Sequence, residues 1–151
     1  MSYEELLSKG LIKPISVSPF QVKSRLDLAR RDIRAAHTMA ATDSDWAFSM
    51  AYNAILQATR ALMFANGFRP ASGPAQHKAV VLFAETALGE SFKDEIYLFE
   101  KMRSKRHRVI YDVTGLISKD EATQALEFAV RFVEKTELLL ADIWFIEIKY
   151  Q

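Results

Sequence analysis

Between Lys101 and Arg108 five of eight residues are Lys or Arg, another is His107, and none is acidic. A guanidinium presents a planar fork of donors that matches phosphate, and an imidazole carries protons near neutrality, so the stretch MRSKRHRVIYD combines the two commonest tools for phosphate chemistry. Arg103 and Arg106 are three apart and share a helix face, with His107 beside them; Val109, Ile110 and Tyr111 then lead toward Gly115. A helix over about Phe92 to Arg108 is expected here, with Tyr111 in the loop that follows, where an arginine on the last turn and a loop side chain can converge. Two readings compete at this point. The cations form a site, or they complement the negative end of the helix dipole and stay solvated.

The elements that must hold this stretch are legible from punctuation and period. Five glycines and four prolines fall between periodic segments, and strand-like alternation is missing. After a short N-terminal turn closed by Gly10, Ser18 is an N-cap with Pro19 at the first helical position. Val22, Leu26, Ala29, Ile33, Ala36 and Ala40 then recur in steps of four and three on one face. A second helix is expected from Asp43 or Ser44 to Asn66, closed by Asn66-Gly67. It is apolar nearly all round (Trp46, Phe48, Met50, Tyr52, Ile55, Leu56, Leu62, Met63, Phe64), which predicts a second packing partner for its far face. Ser49, Asn53, Gln57 and Arg60 draw a polar strip along it, read as its solvent edge or as a cleft lining. A shorter helix near Gln76 to Leu88 carries His77 in its first turn, a structural position. Ser118 and Glu121 form a capping box that opens the last helix, with Ala122, Leu126, Ala129, Val133, Thr136, Leu140 and Ile143 on one face. The reading is an all-α, antiparallel up-and-down bundle of about five helices in one domain over 1–151, with a core over 19–148 and an extension over 1–18.

Composition narrows function. With 20 basic against 19 acidic residues, any nucleic-acid contact must come from a local patch. The absence of cysteine excludes disulfides, thiolate zinc sites and thiol catalysis. No Glu stands three before a His, so the pairs that build bundle di-metal centres are missing, and no metal or other cofactor is expected. MSYEELLSKGLIKP lacks a basic lead followed by an apolar run, so no signal peptide is expected and the expected compartment is cytoplasmic. LLLADIWFIEIKY is broken by Asp142, Glu147 and Lys149 and reads as a core helix, not a membrane span. His37 is expected at the surface or in packing.

VKSRLDLARRDIRAA, then AFSMAYNAILQATRALMFANGF, then His77, then RSKRHRVIYD before a long last helix, resembles the HEPN domain family (higher eukaryotes and prokaryotes nucleotide-binding) from about Val22 to Leu140. The resemblance implies an antiparallel bundle that homodimerises, many members being metal-independent RNases of toxin–antitoxin or defence systems, often beside a small nucleotidyltransferase partner that acts as the antitoxin. The family signature is an arginine, a polar residue, a short interval and a histidine. Arg106-His107 matches its start and Tyr111 stands where the histidine is expected. An alignment through Arg103 and His107 leaves the interval one residue short. The resemblance assigns catalysis to Arg106, His107 and Tyr111, and RNA or nucleotide binding to Arg103, Lys105, Arg108 and Asn53. His107 would act as base and Tyr111 as acid or phosphate donor, the phenol also being a candidate site of nucleotide modification. A module that binds RNA or nucleotide without cutting, or one that docks a protein partner, are the alternatives.

Overall fold

In the computed structural model, which describes the backbone of residues 1–112 and 114–150 and side chains through Ala141, helices follow one another as α1 (Tyr3–Ser8), α2 (Pro19–Ala40), α3 (Ser44–Ala65), α4 (Gln76–Leu88), α5 (Lys93–Tyr111) and α6 (Lys119–Tyr150). Each boundary has a local cause. Pro19 sits at the first position of α2, and the Ser18 backbone N–H donates to Gln21 Oε1 at 2.7 Å. Asp43 caps α3 by accepting from the Trp46 backbone N–H at 3.1 Å. α3 ends at Asn66, after which Gly67 takes φ +83°, a left-handed conformation that a side chain would strain.

α3 is the central element. α2 returns along it antiparallel, with Arg25 reaching Gln57, and α6 packs on both. α5 runs antiparallel to α6, as the pairs Lys105–Glu121 and Lys135–Glu95 show, and α4 and α5 cover the remaining side of α3. The second partner expected for the far face of α3 is therefore the chain's own α4 and α5, and that face is not a spare surface for a second copy. Between Ala51 and Met63 the partly exposed positions of α3 are Asn53, Gln57 and Arg60, so these three form the solvent edge that helix period suggested, with Gln57 accepting from Arg25, while Ser49, the fourth residue of the strip, is buried.

The core joins Val22, Leu26, Ala29, Ile33 and Ala36 of α2 to Ala122, Leu126, Ala129, Val133 and Leu140 of α6. Tyr52, Phe99 and Phe132 stack through it in tilted pairs 5.9 Å apart. Ile143, expected on the same face, lies outside the described side chains. His37 is exposed.

One element departs from the expected pure helix. Ile12–Pro14 (β1) pairs antiparallel with Phe68–Pro70 (β2), Lys13 opposite Arg69. Three residues are too few to show an alternating pattern, so the GFRPASGP segment reads as plain loop in sequence. The ladder ties α1 to the α3–α4 connection, where Tyr3 stacks on Phe83 at 5.2 Å.

The capping box is present: the Glu121 N–H donates to Ser118 Oγ at 3.1 Å, and Glu121 also pairs with Lys105 of α5. Ser118→Ala is expected to destabilise the fold by about 1 kcal/mol, lowering Tm by about 2–4 °C, read by thermal melting.

Candidate functional site

α5 continues three residues past the expected end at Arg108. No Gly or Pro intervenes before Gly115, Val109 is buried as an anchor, and the connection to α6 is held from far away. Asp45, in the first turn of α3, accepts from the Gly115 N–H at 2.6 Å and the Ile117 N–H at 3.0 Å. Tyr111 is consequently a helix residue, not a loop residue. Its ring lies 4.9 Å from that of His107, one turn earlier, and its side chain stays 69% exposed.

Helical period divides the basic stretch among faces. Arg103, His107 and Tyr111 fall on one row of α5, with Arg106 beside it. Together with Gly73, Pro74, Gln76 and His77, from the loop after β2 and the start of α4, they line a cleft of about 350 Å³. Gly73 supports the rim by adopting φ +122°. Lys105 faces the other way: it pairs with Glu121 and lines a separate groove between α5 and α6. Arg108 is exposed, and neither it nor Asn53 lines the Arg106 cleft. Of the seven residues singled out in sequence, Arg103, Arg106, His107 and Tyr111 come together here, and Lys105, Arg108 and Asn53 do not.

Beneath the cleft lies a group that local reading assigns to structure. Tyr52 is fully buried; its hydroxyl is 3.2 Å from His77 Nδ1, and the Arg106 guanidinium lies over its ring, 5.5 Å from the centroid. Burial raises the Tyr52 phenol well above its ordinary value, the neighbouring arginines only partly opposing it, so the phenol keeps its proton. This is the one hydrogen bond that the Tyr52 hydroxyl makes among the described residues. The O–H therefore donates to Nδ1, since the reverse would leave a buried hydroxyl proton unpaired, and neutral His77 carries its own proton on Nε2. His77 is a hydrogen-bond donor in the cleft, not a base. Burial first, then the charges of Arg106, Arg60 and Arg103, push its pKa down to about 4.

The sign of the resulting pH dependence follows from linkage. The folded value near 4 lies below the ordinary 6.5, so the unfolded chain takes up the proton first and stability falls as pH drops from about 6.5 toward 4. Discounted for the ring's partial exposure, the loss between pH 7 and 5 is expected to be about 1 kcal/mol. Thermal melts of the wild type and His77→Gln over that range should show the wild type losing more. Glu100 acts in a lower window: its carboxylate, hydrogen-bonded by Arg103, lies below the usual range, so its contribution is lost only under more acidic conditions.

Arg103 and Arg106 differ in availability. Arg103 is clamped by Glu100, Nε to Oε2 at 2.9 Å and a terminal nitrogen to Oε1 at 2.6 Å, and Lys78 shares the same carboxylate at 3.2 Å. Arg106 has no carboxylate partner among the described residues, and its Nε is buried without any hydrogen bond. A buried, unpaired charged donor is costly, and the guanidinium that carries it lines the cleft with no carboxylate partner among the described residues, which leaves positive charge there for an anion.

The helical bundle is the fold that the sequence resemblance implies, and the HEPN domain model matches residues 22–139. The chain belongs to the HEPN family. A comparison with curated proteins finds none that matches. Within the HEPN frame, the sequence signature starting at Arg106 falls on the cleft wall, while His77 and Tyr52 were missed as site residues because the bond joining them links positions 25 apart. No helix among the described residues is long and apolar enough to cross a membrane.

Proposed function

We propose that this HEPN protein acts on RNA in a toxin–antitoxin or defence setting, the Arg106 cleft binding a phosphodiester and cleaving it without a metal ion. The carrying observation is the Arg106 guanidinium, half-buried, with an unpartnered Nε, beside two imidazoles and an exposed phenol. Arg106 and the His77 Nε2–H hold the phosphate oxygens and stabilise the charge that grows on them. His107 takes the proton of the ribose 2′-hydroxyl as its oxygen attacks phosphorus, and Tyr111 donates a proton to the departing 5′-oxygen. The products are a 2′,3′-cyclic phosphate and a 5′-hydroxyl. Partners are a second copy of the chain, meeting through a surface other than the covered α3 face, and a nucleotidyltransferase-type antitoxin.

The test is incubation of the purified protein with mixed RNAs in excess chelator, with product ends identified. Cyclic phosphate ends are the expected result. RNA bound but left intact would establish the second reading, a binding module without catalysis. Tyr111 at the position of the family's histidine favours that reading, because a phenol is a hydrogen-bond donor where an imidazole nitrogen can also take up a proton.

A further inference from the structure

We infer that the anion site extends beyond the cleft, Arg60 of α3 and Arg25 of α2 forming a second phosphate subsite that selects a single-stranded RNA over a mononucleotide. The inference rests on the reading of the cleft as an RNA site. Arg60 lies two turns beyond Tyr52 on α3 and is half-buried, with no carboxylate partner among the described residues. Its guanidinium is held below its ordinary pKa by burial first and by the charge of Arg25 second, with the Tyr52 phenol only partly opposing them. Arg25 is itself fixed in place: a terminal nitrogen donates to Gln57 Oε1 at 3.2 Å, and its guanidinium lies 5.3 Å from the centroid of the Phe64 ring.

Gln57 stands one turn before Arg60 on α3, so its bond to Arg25 sets both guanidiniums along one face of α3, where like charges partly withdrawn from water repel each other. Three other arginines find a carboxylate: Arg103 with Glu100, Arg30 with Glu137 and Arg31 with Asp32. A phosphate accepting from both Arg25 and Arg60 would turn the repulsion into two charge-assisted hydrogen bonds, at little entropic cost because Arg25 is already immobilised. The subsite is also continuous with the cleft. Tyr52, which carries Arg106 over its ring and His77 on its hydroxyl, stands on α3 eight residues before Arg60, about 12 Å along the helix, so the subsite follows from the cleft along α3. A ligand that satisfies both ends must carry successive phosphates, as a nucleic-acid strand does.

The experiment measures binding of a labelled uridine mononucleotide and a uridine dodecamer, both methylated at the 2′-hydroxyl so that neither is cleaved, by fluorescence anisotropy at several salt concentrations. For the wild type, the dodecamer should show a salt slope steeper by about one than the mononucleotide. Arg60→Gln and Arg25→Gln should each weaken dodecamer binding about 5–10-fold and flatten its slope by about 0.7, leaving mononucleotide binding unchanged, while Arg60→Lys restores most of the affinity. Equal slopes for the two probes in the wild type overturn the subsite even if a glutamine variant fails to fold. So does equal weakening of both probes by the glutamine variants, or dodecamer binding that they leave intact while Arg106→Ala removes it; in that last case the cleft reading stands. A wild type that binds neither probe overturns both.

Discussion

Arg106→Ala is expected to lower RNA cleavage by about 10²–10³-fold, the loss seen when a single charged donor is removed from a developing oxyanion. The fold should hardly notice. The guanidinium makes no hydrogen bond through Nε and no ion pair among the described residues, so its removal relieves an unmet buried donor at the expense of one contact with the Tyr52 ring. Tm is expected to stay within a few degrees of the wild type while the rate collapses, a separation that distinguishes a phosphate ligand from a packing residue. Arg106→Lys should recover only part of the rate, because an ammonium keeps the charge and loses the planar fork. Single-turnover cleavage and thermal melting, run on the same preparations, check both halves. A variant as active as the wild type would exclude Arg106 from the reaction.

Asp45→Ala should have the largest effect on stability among single polar changes near the site. The carboxylate accepts two backbone N–H groups of the α5–α6 connection, from Gly115 and Ile117, while itself sitting in the first turn of α3, where negative charge is favoured. Hydrogen bonds to a charged group contribute about 1.5–3 kcal/mol, so a loss near the upper part of that range, and a fall in Tm of about 4–10 °C, is expected. Chemical denaturation checks the magnitude, and Asp45→Asn, which keeps one acceptor, should fall between. Since the same contact fixes where α5 ends, cleavage should also decline through Tyr111, though far less than in Arg106→Ala. Unchanged stability would mean that water replaces the carboxylate at both N–H groups.

These two residues also mark what a linear reading reaches and what it does not. Ser18-Pro19, Asp43 and the Ser118–Glu121 box are signals whose donors and acceptors lie within three residues, and the helices begin where they say. The bounds of α4, Gln76–Leu88, are legible in the same local way. The end of α5 is not, because the group that holds the next segment is Asp45, 70 residues earlier than Gly115. Tyr52 and His77 each read as ordinary, an aromatic in a buried helix and a histidine at a helix start; only packing shows that one fixes the tautomer of the other. The division of the basic stretch is different in kind. Helix period alone separates Arg103, His107 and Tyr111 from Lys105, and reading the run as one patch obscured it. On α3, helix period does locate the partly exposed edge at Asn53, Gln57 and Arg60, and only packing shows that Ser49, on the same strip, is buried.

An RNA phosphate seated on the Arg106 guanidinium from the cleft changes the surroundings of its Nε, the buried nitrogen that makes no hydrogen bond in the free protein. Nitrogen-15 NMR of the arginine side chains during addition of a short uncleavable RNA, with its 2′-hydroxyls methylated, reads that atom directly. The predicted result is a shift of the Arg106 Nε–H resonance and slower rotation of its guanidinium, as that group takes an anionic acceptor in the cleft. An Nε–H resonance that stays in place while signals from the Lys105–Glu121 groove move would put the RNA on the opposite face of α5 and contradict the account.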